Sequence, residues 1–327
     1  MQNNQESIFR SSRGDFANSL LSVIQKGGMA LVLVIVMAFM AIIAPKFLTP
    51  RNLINVAVQN CILAIVAMGI SYVLISGGID LSIGSVIGTV AILTSGLYQY
   101  DGFLEWQAIL ISFIAALTVG LVNGLIIIKF KLEPVVVTLG TWYIVRGLIQ
   151  TYILSRVPTA PPITSYLGSE NLFGIPIILI ITVIIAIVTH LILTKTVLGR
   201  WAYAMGGNNV AARLSGVPVD RARIIFYMLS SLYAAIAGVL LSGRIHAVDA
   251  NTGDAMIFLA YAAAVVGGTS LFGGRGSALN AIIGALIIGV IANGLNLTRL
   301  VHFWQQVAIG AAILIAVTID ATRSRRE

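Results

Sequence analysis

Charge is scarce in this chain and cysteine is nearly absent. Only 10% of its 327 residues are Asp, Glu, Lys or Arg, and 58% are hydrophobic, with a mean hydropathy of +0.98; soluble domains carry roughly a quarter charged residues. That excludes an ordinary soluble fold and marks an all-α integral membrane protein. The single cysteine, Cys61, lies in an apolar run, which excludes an intrachain disulfide and a multi-cysteine metal site and leaves a packing role. No Gly-Lys-Ser or Gly-Lys-Thr follows any glycine-rich stretch, so the chain has no phosphate loop for nucleotide hydrolysis. A metal-ligand cluster, a nucleophile with a nearby base and paired intramembrane carboxylates are all lacking too. No cofactor, no metal and no catalytic residue is therefore expected. The net charge of +8 sits in loops and tails beside apolar runs, where it reads as inward-facing retention charge and not as a nucleic-acid surface.

What is present is a succession of apolar runs of membrane-crossing length. The first 26 residues are polar and mixed in charge, with Glu6, Arg10, Arg13, Asp15 and Lys26; they read as a cytoplasmic tail, because no small-residue cleavage site follows the first apolar core. Residues 27–320 read as one transmembrane domain and 321–327 as a basic cytoplasmic tail. About ten spans of roughly 20 residues are expected: 27–45, 53–75, 82–98, 106–128, 134–154, 174–194, 222–242, 256–272, 278–298 and 303–320. The third and eighth are short and glycine-bearing, which fits tilted, broken or re-entrant helices. With the N-terminus inside, the cytoplasmic loops carry Lys129, Lys131, the run from Lys195 to Arg223, and Arg275, while the opposite loops carry Asp101, Glu105, Glu170, Asp249 and Asp254. An even number of spans with both termini in the cytoplasm satisfies this asymmetry.

Three interruptions of the apolar pattern stand out. In the first, Asp80 sits among Gly77, Gly78, Ser82 and Gly84. An acid there costs about 2.5–3.5 kcal/mol at a helix centre, so it lies at the interface or is satisfied by neighbours, and it is placed to cap the third span. In the second, Gly267, Gly268, Thr269 and Ser270 lead to Gly273, Gly274 and Gly276, a density that suits a tight turn. The third is the stretch 199–218, which with its flanks is the densest positive cluster of the chain. Asn209 to Leu214 has the composition of a short helix, broken on one side by Gly206 and Gly207 and on the other by Gly216 and Pro218. A chain that presents such a knob to the cytosol, with no soluble domain of its own, hands something to a partner there.

Amides also recur within the spans. Gln59, Asn60, Asn123 and Asn293 offer donors and acceptors without a charge, as a path for a neutral hydroxylated solute requires, although interhelical packing uses the same chemistry. The run Gly120 to Leu125 echoes Gly289 to Leu295; with five spans per half these fall in oppositely directed helices, which suits a 5+5 inverted repeat. Arg146 is the main ionisable residue inside a span.

Taken together, Gly77-Gly78-Ile79-Asp80-Leu81-Ser82-Ile83-Gly84-Ser85, the stretch Gly199 to Gly216 and Gly267-Gly268-Thr269-Ser270 with Gly273-Gly274 resemble the permease subunit of bacterial ribose-type monosaccharide ABC importers. The resemblance spans about residues 27–320. It implies a fold like that of the vitamin B12 importer permease, in the bacterial inner membrane, as a dimer with a second permease copy or homologue and in contact with membrane lipid. It further implies a cytoplasmic ATP-binding subunit, a periplasmic solute-binding protein, and a coupling helix formed by Gly206, Gly207, Asn208, Ala211, Ala212, Arg213, Leu214, Ser215 and Gly216. Family members often carry an acidic pair before the Gly-Gly-Thr-Ser turn, where this chain has Ile257 and Leu259 with Asp254 upstream; this leaves the solute open. A secondary transporter or facilitative channel for a small polar solute is the alternative, and a gradient-driven one would place more ionisable groups in mid-span.

Overall fold

The computed structural model describes residues 28–154, 156–245 and 247–298, with isolated positions between 307 and 318. The two expected tails and nearly all of the tenth expected span lie outside the described residues. Within them the chain is helical: α1 (Gly28–Ile43), α2 (Pro50–Ile75), α3 (Ile83–Gln99), α4 (Glu105–Phe130), α5 (Pro134–Ile153), α6 (Pro162–Ser169), α7 (Ile177–Lys195), α8 (Val197–Gly207), α9 (Asn209–Leu214), α10 (Val219–Ile245), α11 (Asp254–Val266) and α12 (Ala278–Leu297). A two-residue hairpin, β1 (Asn171–Leu172) and β2 (Ile175–Pro176), precedes α7. Five of the helices, α2, α4, α7, α10 and α12, are long and apolar enough to cross a membrane, and α1, α3 and α11 are shorter apolar helices.

Local chemistry sets many of the ends. Proline occupies the first turn of α2, α5 and α6, where its missing N–H forfeits no helical bond. The Glu105 carboxylate accepts from the backbone N–H groups of Ile163 and Thr164 at 2.9 and 2.7 Å, so the first turn of α4 holds the free amides of α6.

At the centre lies α2, buried on all sides from Asn60 to Ile75, as expected of a helix that is apolar all round. Its Tyr72 hydroxyl meets that of Tyr233 on α10 at 3.2 Å, and the Tyr233 hydroxyl meets Thr189 on α7 at 2.6 Å. The packing around α2 and α10 recurs in the two halves: α4 packs on α10 as α12 packs on α2, α3 on α10 as α11 on α2, and α3 on α4 as α11 on α12.

The loops sort to two ends of the bundle. One end holds the α2–α3 connection, the 131–134 loop and the start of α10, which share a cleft with α9; the 267–277 loop joins them through Gly274 N–H to the Ile75 carbonyl at 2.9 Å. At the other end Gln99 accepts from Thr159 N–H at 2.8 Å, Tyr152 donates to Asp101 at 2.5 Å and Ser169 donates to the Gly243 carbonyl at 2.9 Å. Both short spans start inside the bundle. α11 has 13 residues, about 20 Å of rise against a hydrocarbon core of about 30 Å, and its first residue, Asp254, packs beside Gly84 near the start of α3.

Candidate functional site

The stretch 199–218 folds as two helices across the end of the bundle. Thr196 ends α7 and opens α8, and α8 buries Ala202 and Met205 against the core. Asn208 then leaves the helical region, at φ −160° and ψ 109°, and its side chain accepts from Val210 N–H at 2.9 Å and Ala211 N–H at 3.0 Å. This N-cap satisfies two of the orphan donors of α9. The far end closes on Gly216, whose φ of +86° favours glycine and whose N–H donates to the Arg213 carbonyl at 3.1 Å. Arg213 forks onto Asp220 at 2.6 and 3.0 Å, holding α9 to the first turn of α10. The pair is exposed and serves orientation more than stability.

This anchoring decides what α9 shows to solvent. Ala212 faces inward at 4% exposure, whereas Val210 is 70% and Leu214 85% exposed. Ala211, Ser215 and Gly216 are exposed beside them. Val210 and Leu214 are four residues apart, so they share a face. Sequence composition did not single out Val210; its four-residue spacing from Leu214 was the available signal.

The three glycine-rich interruptions meet behind this knob. A β-carbon on Gly206 would lie 1.8 Å from the Ile75 carbonyl oxygen and 2.2 Å from Gly274 N, and one on Gly273 would lie 2.9 Å from Gly206 Cα and 3.2 Å from Gly77 Cα. Backbones can approach this closely only where there is no side chain. Tyr203 adds a hydrogen bond from its hydroxyl to the Gly276 carbonyl at 2.8 Å. Gly207, by contrast, has open space around it. A cleft of about 600 Å³ beside the junction is lined by Gly77, Lys131, Glu133, Asn209, Arg213 and Arg223 among others.

Next along the chain, Asp80 is fully buried. Its Oδ1 accepts from Ser82 N–H at 3.0 Å and Ser82 Oγ at 2.6 Å, and its Oδ2 accepts from Ser230 Oγ at 2.7 Å. Asn123 donates to Ser82 Oγ at 2.9 Å, and the Asp80 N–H donates to the Tyr261 hydroxyl at 2.6 Å. The Asp80 carboxylate thus joins the entry of α3 to α10 directly and to α4 through Ser82, and its backbone N–H adds α11. Gly84 packs on Ile257, Gly267 on the Asn280 carbonyl, and Gly268 takes φ +103° at the end of α11. Thr269 N–H closes the turn on the Ala264 carbonyl at 2.9 Å.

The four amides considered for a path are held apart. Gln59 is exposed on α2. Asn60 donates to the Val56 carbonyl at 2.7 Å and packs against Gly289, Asn123 belongs to the Asp80 network, and Asn293 forms a reciprocal pair with Asn52 at 2.8 and 3.0 Å.

Residues 52–317 match the family described as branched-chain amino acid transport system / permease component. The chain belongs to this permease family. It is a multi-pass membrane permease. Among curated proteins it is 38% identical over 306 residues to the ribose import permease protein RbsC of Bacillus subtilis (strain 168), covering 92% of this chain and 94% of that one. It is 33% identical over 303 residues to the ribose import permease protein RbsC of Escherichia coli (strain K12), covering 89% and 92%. It is 36% identical over 301 residues to the L-arabinose transport system permease protein AraH of the same organism, covering 91% of each. No solved structure matches the permease.

Proposed function

We propose that the chain is the membrane permease subunit of an ATP-driven importer for a monosaccharide or similar small polar solute. It lies in the bacterial inner membrane, paired with a second copy or homologue, receives solute from a periplasmic binding protein and is driven by a separate cytoplasmic ATPase. The observation that carries this reading is the capped helix α9, which turns Val210 and Leu214 outward from a glycine-tied platform. An exposed apolar pair on a rigid mount suits insertion into a partner's groove. The names of the ribose and arabinose relatives support a sugar over the amino acid of the family description.

The same reading takes the glycine-junction end as cytoplasmic. Lys129, Lys131, Lys195, Arg200, Arg221, Arg223 and Arg275 lie towards that end, and Asp101, Glu105, Glu170 and Asp249 towards the other, as the positive-inside rule requires. Adding the span expected from sequence at 303–320, outside the described residues, to α1–α5, α7 and α10–α12 gives ten spans with both termini inside. The paired packing around α2 and α10, with α2 ending where α10 begins, supports a 5+5 inverted repeat and a fold like the vitamin B12 importer permease. Of the amides proposed for the path, Gln59 is the one that opens to the surface.

The test is reconstitution in proteoliposomes with the partner ATPase and the solute-loaded binding protein. Uptake of labelled ribose or arabinose should require ATP inside the ATPase-bearing compartment. Uptake driven by an ion gradient with the ATPase omitted would sink the proposal.

A further inference from the structure

We propose that Trp142, Arg146 and Asp254, flanked by Tyr143 and Phe258, form a contact site for a neutral polyhydroxylated solute in the middle of the membrane, an inference that rests on the importer reading above. Arg146 lies twelve residues into the twenty-residue α5, about 18 Å along a helix of about 30 Å at 1.5 Å per residue. The nearer helix end, Ile153, is seven residues or about 10 Å away. Its guanidinium forms an ion pair with Asp254 on α11 and stands 4.7 Å from the Trp142 ring centroid. Trp142 Nε1 donates to the same carboxylate at 3.2 Å, and Arg146 Nη2 reaches the Ala250 carbonyl at 3.4 Å.

A pair serving only to lock two helices would be sealed from its surroundings. This one is not: the side chains are 15% and 26% exposed, while Arg146 Nε, itself buried, has no hydrogen-bond partner within the protein. Charges at this depth face a bundle interior or an aqueous path, because lipid solvates neither. On the open side Tyr143 is 64% exposed and Phe258, one turn beyond Asp254 on α11, is 73% exposed. The Tyr143 ring meets Trp142 edge-on, with centroids 4.5 Å apart.

The chemistry selects a class of solute. A guanidinium offers only donors and a carboxylate only acceptors, so together they suit hydroxyls, which are both. Their charges cancel, so an ionic solute would have to break the pair to bind. The aromatic faces supply apolar contact for the C–H faces of a ring, as in binding sites that combine aromatic walls with a few fixed polar groups. The site also lies where the two short helices meet, since Asp254 packs beside Gly84 of α3. A shift of either helix would change its shape.

The experiment uses the reconstituted complex of permease, ATPase and binding protein. Asp254→Asn and Arg146→Gln should each lower solute uptake at least tenfold while the loaded binding protein still stimulates ATP hydrolysis. Trp142→Phe should alter the ranking of pentoses, hexoses and deoxy sugars as competitors. The apolar double variant Arg146→Met/Asp254→Leu leaves no unpaired charge; uptake and competitor ranking at the wild-type level in it would overturn the site. A second measurement does not rely on those variants folding. Tyr143→Cys, made with Cys61→Ala, should react with a small hydrophilic thiol reagent and be slowed several-fold by ribose or arabinose. Labelling only by lipid-soluble reagents, or labelling unaffected by either sugar, would also overturn it. Absence of ATP-dependent uptake by the unmodified complex would instead count against the importer reading itself.

Discussion

Gly206 is packed so tightly on Ile75 that a β-carbon added to it would lie 1.8 Å from the Ile75 carbonyl oxygen. That carbonyl already accepts from Gly274 N–H at 2.9 Å, so it cannot swing aside without losing a bond between the α2–α3 and α11–α12 loops. The helix pair α8–α9 is thereby fixed to the segments that lead into α3 and out of α11. Gly206→Ala should destabilise the protein by about 1–3 kcal/mol or more, as overpacking does, and lower its melting temperature in detergent. Gly207→Ala, with nothing within 4 Å of its added carbon, is the control and should melt within error of the unaltered protein. Equal melting of the two would mean that the junction opens at little cost.

Leu214→Asp tests the outward face of α9. At 85% exposure the side chain contributes little to folding, so abundance and melting should hold, while uptake and solute-stimulated ATP hydrolysis in the assembled complex fall at least tenfold. Val210→Asp should behave alike. Ala212→Leu makes the opposite forecast: the side chain points inward, and the loss should appear first as a lower melting temperature. Normal transport by both Asp variants would reduce α9 to a connecting loop.

The membrane class, the succession of apolar helices and the bounds of α9 were legible in the sequence because each rests on neighbours along the chain. A run of apolar residues declares a span, Asn208 caps, and Gly216 ends a helix. The meeting of Gly77, Gly206 and Gly273 was not legible, since close backbone approach between segments far apart leaves no periodic trace; glycine density alone was visible, and it read as three separate interruptions. The orientation of α9 was hidden for a related reason. Ala211 and Ala212 are alike in composition, and only the Arg213–Asp220 fork and the packing under α9 decide that Ala212 turns inward. Arg146 was visible as an intramembrane charge, but Asp254 read as a loop acid, because the start of α11 deep in the bundle shifts it away from the surface.

Asp80 offers a graded test of the buried network. Asp80→Ala leaves Ser82 N–H without its acceptor and deprives two hydroxyls of theirs, so a loss of about 2–3 kcal/mol is expected from the unsatisfied donors. Asp80→Asn retains an acceptor for Ser82, and Ser230 can turn its hydroxyl to accept from the new amide. It should therefore melt between the unaltered protein and the alanine variant. Equal losses in the two variants would show that the charge itself, and not hydrogen bonding, holds the entry of α3.

The reciprocal amide pair Asn52–Asn293 separates packing from path. Each amide donates to the other, at 2.8 and 3.0 Å, across the contact of α2 and α12. Asn293→Leu takes the partner amide from Asn52, which keeps its hydrogen bond to the Phe47 carbonyl, and Asn52→Leu takes the partner from Asn293; each single change should cost stability, because a half-satisfied, partly buried amide is worse than none. The double change Asn52→Leu/Asn293→Leu removes both polar groups together. A thermodynamic cycle over the four proteins should then give a coupling between about 0.6 kcal/mol, the average for interhelical hydrogen bonds in a membrane protein, and about 1.7 kcal/mol, the largest such value. Solute uptake should follow stability and recover in the double variant, because packing requires only that the two positions match. A double variant that melts normally yet takes up sugar at a tenth of the normal rate would place Asn293 on the solute path instead.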